Sequence, residues 1–140
     1  MSVTSRISVD WKQDRIFECG REGRPSILLD GDGKAAPSPP EALLAALASC
    51  VSVDVVDILA KRRTPVETFN VDVIGERVET TPRRFKHITL NFTITGQDID
   101  RAHADRAIDL ALNKYCSVKD SLDPNLPVEW NLTLNGSDKA

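Results

Sequence analysis

The stretch from Ser38 to Arg63, SPPEALLAALASCVSVDVVDILAKRR, decides the fold, because it carries the start, the interior and the end of one long helix. Ser38 and Glu41 have the spacing of a capping box, in which each side chain bonds the backbone N–H of the other residue. Three cations at 61–63 suit the negative end of a helix, and Pro65 ends the pattern. We therefore predict a helix over 38–63.

This helix is apolar or small nearly all the way round. At about 100° per residue, leucine, isoleucine and valine side chains cover half of its circumference, and alanines and serines cover much of the rest. Such a helix must be buried on more than one side, and Asp54, inside the apolar arc, should be paired. One sheet face covers only one side of a helix layer, so the pattern predicts an obligate homodimer in which a second copy covers the other side.

Composition limits the class of protein. The chain has 140 residues, which predicts a single domain over 1–140, and its net charge of −3 argues against a nucleic-acid partner. We expect no membrane partner, because no segment reads as a bilayer span and the N-terminus lacks a signal-peptide pattern. Three cysteines, an odd number, favour a reducing, cytoplasmic location. The cysteine and histidine spacing of a structural zinc site is absent, so we expect no such site, and the sequence also lacks a phosphate-binding glycine loop.

The rest of the chain alternates as strands should, with a second helix late in the sequence. Asp98 or Asp100 caps that helix, which should run to about Tyr115, and Ser117 is expected to cap a short helix that ends near Leu122. The order is strands, long helix, strands, helix, strand, which predicts an α+β fold. The six predicted strands are 3–10, 15–20, 26–29, 69–73, 87–95 and 128–134.

Two cysteines lie in distinctive places. Cys50 is in the middle of the long helix, and Cys116 comes just before the short helix, where the helix dipole favours a thiolate. Cys50 has no such support, and the neighbouring Asp54 should raise its pKa. A reactive Cys50 therefore requires a cation, for which Arg21 and Arg24 are the candidates. A lone buried cysteine is more often simply a small apolar residue, and that interpretation stays open.

Several motifs together resemble one known family. Pro-x-Glu-x-Leu-Leu-x5-Cys at 39–50, Val-Asp-Val-Val-Asp-Ile-Leu at 53–59 and Lys-Tyr-Cys-Ser-Val at 114–118 are similar to the OsmC/Ohr family, in its OsmC-like branch. The resemblance implies an α+β fold of two intertwined subunits with central buried helices. It also implies cysteine-based peroxidase chemistry on organic hydroperoxides, an external thiol as reductant, and no metal or cofactor.

The family's site residues carry over position by position. Cys50 matches the peroxidatic cysteine and Cys116 the resolving one, while Arg21, in Gly-Arg-Glu-Gly, resembles the arginine that holds the thiolate. Arg24 is the alternative for that role. Glu41 stands where the family has a glutamate that pairs with the arginine, although it precedes Cys50 by nine residues and also reads as a helix cap.

Two functions of different classes follow. The first is a thiol-dependent peroxidase with a Cys50/Cys116 redox pair, acting in oxidative-stress defence, with Leu43 and Leu47 lining an aliphatic substrate site. The second is a non-catalytic homodimer that binds a small apolar ligand or acts as a redox sensor.

Overall fold

The computed structural model describes residues 2–137, and the chain forms two compact units, Met1–Leu43 and Leu44–Ala140. The first unit holds one sheet and the start of the long helix α1, and the second holds the rest of α1, another sheet and the remaining helices. The α+β class and the predicted order of elements are confirmed, whereas the single domain over 1–140 stays a prediction.

The first unit is an antiparallel sheet of three strands in the order β1-β2-β3, namely Ser8–Gln13, Ile16–Gly20 and Ile27–Asp30. β1 begins and ends later than the alternation predicted. The predicted strands 3–10 and 15–20 leave residues 11–14 as the connection, whereas Gln13 still pairs with Ile16. Asp14 tolerates a positive φ of 49°, and its carbonyl accepts a hydrogen bond from Trp11 Nε1 at 2.9 Å, so two residues suffice to reverse the chain.

Helix α1 spans Pro39–Lys61, as its caps predict. Ser38 N–H donates to Glu41 Oε1 at 2.9 Å, and Glu41 N–H donates to Ser38 Oγ at 3.3 Å, which is the capping box. By length and composition α1 could cross a membrane, with a mean hydropathy of 2.1 over 18 residues, so the expectation that no segment reads as a span is wrong. The core helix of a soluble protein can have the same length and hydropathy.

The second unit is built on a sheet in the order β4-β5-β6, namely Thr68–Arg77, Phe85–Thr95 and Val128–Leu134. β4 and β5 form an antiparallel hairpin, and β6 lies parallel to β5. Between β5 and β6 come α2 (Arg101–Leu110), a π-helical segment (Ala111–Tyr115) and α3 (Ser117–Asp120). Asp100 caps α2 by accepting a hydrogen bond from Ala102 N–H at 2.8 Å.

One face of α1 packs into the core of the second unit. Its side chains Leu47, Val51, Val55 and Leu59 are fully buried, together with the inward-facing residues of β5 and with α2 residues. Leu47 therefore belongs to the core, and the prediction that it lines a substrate site is wrong. The opposite face carries small or exposed residues: Ala46, Ser49, Val53, Asp57 and Ala60.

Candidate active site

Cys50 lies near the middle of α1 at the border between the core and the exposed face. Its sequence neighbour Val51 is fully buried, whereas its neighbour Ser49 is exposed, so the Cys50 side chain is half-buried and packs against the core cluster. A thiol in this position is held by the rigid helix and still reaches the surface.

Cys116 is placed by a change of helix type. The last turn before it is π-helical, and Cys116 N–H donates to Ala111 O at 2.9 Å, one residue further back than in an α-helix. Cys116 then adopts an extended conformation (φ −73°, ψ 106°) and caps α3, because its sulfur accepts a hydrogen bond from Lys119 N–H at 3.3 Å. The cap is thus Cys116, and the prediction that Ser117 caps this helix is wrong.

The two elements bring both cysteines together, although 65 residues separate them in the chain. The two thiols lie close enough to shift each other's pKa, and the Ser117 hydroxyl lies 4.0 Å from Cys50 Sγ. Both cysteines are free thiols in this structure.

The surroundings set the two thiols apart. Burial raises the pKa of Cys50, but hydrogen bonds from Val118 N–H, the Cys116 thiol and Ser117 together outweigh burial, so the pKa falls below its ordinary value of 9.0. Burial is also the largest influence on Cys116, and there it prevails: the hydrogen bond from Lys119 N–H does not compensate, and the pKa rises. Cys50 is therefore the thiol that ionises first.

The start of α3 supplies donors that the sequence argument did not anticipate. The sequence predicts that a reactive Cys50 needs a cation, whereas hydrogen bonds from residues 116–118 already lower the pKa of Cys50. Ser117 is the functional candidate that was missed, since its serine was interpreted as a helix cap. The sequence feature that could have identified Ser117 is its position directly after Cys116, where a hydroxyl at the start of a helix can donate to a nearby thiolate.

Asp54 does not behave as expected. Its side chain is partly exposed, and within residues 2–137 it makes no hydrogen bond or ion pair, so the prediction of a paired carboxylate is wrong. This position of α1 lies outside the buried stripe, so the carboxylate is partly exposed and needs no protein partner.

The remaining predicted site residues belong to the first unit. Arg21 is exposed on the turn after β2, where its carbonyl accepts a hydrogen bond from Arg24 N–H at 3.1 Å. The capping role of Glu41 is confirmed, and its pairing with Arg21 stays a prediction, as does the role of Arg21 at the thiolate. Cys19 is buried in β2, paired with Val9 and Ile27.

Comparison with known proteins defines the family. A family model described as OsmC-like protein matches residues 31–131. Protein YhfA of Escherichia coli strain K12 is 43% identical over 111 residues, which cover 79% of this chain and 83% of YhfA. The chain therefore belongs to the OsmC-like protein family, and the resemblance inferred from its motifs is confirmed.

Solved structures share the fold. An OsmC-like protein from Mycoplasma pneumoniae superimposes with a TM-score of 0.80 at 19% identity, covering 96% of this chain and 99% of that one. The organic hydroperoxide resistance protein OhrB of Bacillus subtilis gives a TM-score of 0.61 at 16% identity, covering 94% and 98%. At these identities the likeness shows the fold alone.

Proposed function

We propose that this protein is a thiol-dependent peroxidase that reduces organic hydroperoxides through Cys50 and Cys116. One observation carries the proposal: two free thiols from distant parts of the chain meet at the start of α3, close enough to shift each other's pKa, and the pKa of Cys50 is lowered while that of Cys116 is raised. Membership of the OsmC-like family supports a stress-related role, and the resistance protein of the same fold supports the choice of substrate.

The first step uses the thiolate of Cys50. The sulfur attacks the terminal oxygen of the hydroperoxide, the O–O bond breaks, and the alkoxide leaves and takes a proton to become the alcohol. Cys50 keeps the OH group as a sulfenic acid. Hydrogen bonds from Ser117 and Val118 hold the thiolate, and Arg21 is the proposed cation that completes the site.

The second step uses Cys116. Its thiol condenses with the sulfenic acid, which forms a Cys50–Cys116 disulfide and releases water, and an external thiol then reduces the disulfide. Because its pKa is raised, Cys116 stays protonated at neutral pH, and it lies close enough to Cys50 for each thiol to shift the pKa of the other; it is therefore suited to this role and poorly suited to attack the peroxide.

We also propose that the working form is a homodimer in the cytoplasm. The exposed face of α1 carries the small side chains Ala46, Ser49 and Ala60, one carboxylate at Asp57, and Val53, which is 59% exposed in a single chain. A second copy would bury this face and provide an apolar environment next to Cys50 that suits alkyl hydroperoxides better than hydrogen peroxide.

The test is consumption of cumene hydroperoxide by single-cysteine variants. Cys50→Ser should abolish consumption, whereas Cys116→Ser should consume one equivalent and accumulate a sulfenic acid on Cys50. Cys19→Ser is the matched control and should retain full activity, because Cys19 is a buried residue of β2 that has no role in the proposed redox pair.

Thiol titration distinguishes this function from non-catalytic ligand binding. A stoichiometric dose of peroxide should remove two thiols per chain, as measured by titration before and after. If no thiols are lost, or if Cys19→Ser is inactive, the proposal is wrong.

A further inference from the structure

A groove of about 310 Å³ lies against Cys116. The π-helical segment and the first turn of α3 form its walls, and Cys116 lines it whereas Cys50 does not. Cys116 is only 4% exposed, and the groove gives access to the residue that the proposed function makes the resolving cysteine. No step of the peroxidase half-reaction uses this groove, because the peroxide reacts at Cys50.

Disulfide reduction has its own geometry. A thiolate that attacks one sulfur of a disulfide approaches in line with the S–S bond, opposite the sulfur that leaves, and forms a mixed disulfide. A reductant that releases Cys50 must therefore reach Cys116 from a side that Cys50 does not occupy. A groove lined by Cys116 and not by Cys50 meets this requirement.

The charged side chains that line the groove favour a reductant of one sign of charge. Lys114 and Lys119 contribute two ammonium groups against the single carboxylate of Asp120, so the wall is net positive. Lys114 Nζ lies 5.5 Å from the centroid of the Tyr115 ring, which helps to hold it at the groove. The backbone N–H of Lys119 already contacts the Cys116 sulfur. A positive wall raises the local concentration of anionic molecules, thiolates included.

We propose that this groove admits a small thiol that carries an additional anionic group, and that this thiol attacks Cys116 and releases Cys50. The inference rests on the Cys50–Cys116 disulfide of the proposed function. The sulfur that leaves more readily is the one whose thiolate is better stabilised, and hydrogen bonds from residues 117 and 118 stabilise Cys50.

The step balances with two equivalents of thiol. The first thiolate forms a bond to Cys116 Sγ while the S–S bond breaks, and its electron pair stays on Cys50 as the thiolate that the next peroxide needs. The second thiol, as thiolate, attacks the sulfur of the first, releases Cys116 and leaves the small-molecule disulfide as the oxidised product. Cys116 takes up a proton.

The experiment starts from a disulfide that is made without peroxide. In Cys19→Ser protein, diamide oxidises the Cys50–Cys116 pair, and 3-mercaptopropionate, 2-mercaptoethanol and cysteamine are then compared as reductants at equal thiolate concentration. Samples taken during reduction are quenched in acid, alkylated and mapped by peptide mass spectrometry. We expect the small-thiol adduct on Cys116 and the alkyl group on Cys50.

Charge variants test the groove itself. Lys119→Gln should reduce the preference for 3-mercaptopropionate over 2-mercaptoethanol by about two- to fivefold, the range expected for one exposed charge pair. Lys86→Gln is the matched control, because Lys86 is exposed on β5 and outside the groove, and it should leave the preference unchanged.

The outcomes separate this inference from the proposed function. An adduct on Cys50, or an unchanged preference in Lys119→Gln, would overturn the proposed role of the groove and would leave the proposed peroxidase function unaffected. A second outcome is that peroxide fails to oxidise the pair while the disulfide made with diamide is still reduced at Cys116 with the expected preference. That result would refute the peroxidase function and support the proposed role of the groove. If diamide forms no Cys50–Cys116 disulfide, both the peroxidase function and the role of the groove are refuted.

Discussion

Removing the Ser117 hydroxyl tests the part of the site that the sequence argument missed. The hydroxyl lies 4.0 Å from Cys50 Sγ, so Ser117→Ala deletes one long hydrogen bond to the thiolate and leaves the backbone donors in place. Because the bond is long and exposed, its loss should cost the thiolate about 0.5–1 kcal/mol, the low end for hydrogen bonds. At a pH below the pKa, this cost reduces the thiolate population about two- to fivefold.

The observed rate should change less than the population. A thiolate of higher pKa is a better nucleophile, with a Brønsted coefficient of about 0.4–0.5, so alkylation of Cys50 should slow by about 1.5- to 2.5-fold. The assay is alkylation by iodoacetamide in Cys19→Ser protein, followed by peptide mass spectrometry from pH 5 to 10. In the parent protein Cys50 should react at lower pH than Cys116, since the pKa of Cys50 is lowered and that of Cys116 raised.

Two further variants make the result specific. Ser121→Ala is the matched control, because the Ser121 hydroxyl donates to Ser117 O at 2.7 Å and not to a sulfur. Ser117→Thr keeps the hydroxyl and should retain most of the rate. Equal pH profiles for Ser117→Ala and the parent, or an equal loss in Ser121→Ala, would refute the reasoning.

Three other changes test the remaining claims. Arg21→Ala should slow Cys50 alkylation more than Arg24→Ala, measured by the same assay, and equal rates in the parent and Arg21→Ala would remove Arg21 from the site. Val53→Asp should weaken or abolish the dimer in sedimentation, because Val53 is 59% exposed in a single chain and lies on the proposed interface. A Val53→Asp dimer as stable as the parent would contradict that interface. Val51→Asp should lose about 3 kcal/mol or more of stability, because Val51 is fully buried within one chain. Hydrogen bonds from Ala35, Asp32 and Lys34 N–H lower the pKa of Asp30 below 3.8, so the ionised carboxylate stabilises the fold above that pH and this contribution is lost as pH falls through the lowered pKa. In urea denaturation the stability difference between the parent and Asp30→Ala should therefore shrink at low pH, and a pH-independent difference would contradict this account.

Local signals in the sequence predicted most of the fold. The capping box and the terminal cations fixed α1 to within one or two residues, and strict alternation fixed β5 and β6. β1 was placed too early because exposed strands alternate weakly, and the burial pattern of Ser8–Gln13 shows that every residue in it is exposed.

The candidate site was less predictable, because it depends on tertiary contacts. The spacing of Cys50 and Cys116 alone gave no reason to pair them, and only the family resemblance did. The π-helical turn before Cys116 leaves no mark on composition, since it changes the backbone bonding of Ala111–Tyr115 and not the residue types. The stabilisation of Cys50 by Ser117 and Val118 follows from that turn, so it was also invisible in the sequence.

β6, the strand parallel to β5, follows the other strands in the chain, so the core can be completed only late in synthesis. α1 ends at Lys61, but the cluster that buries it includes Leu132 and Leu134 at the far end of the chain. At about 5–20 residues per second, a ribosome needs roughly 4–15 s to add the missing segment. Throughout that interval an apolar helix of 23 residues lacks its covering strand. We therefore expect the incomplete chain to be more prone to aggregation than the finished protein, and to be the form that cellular chaperones would bind.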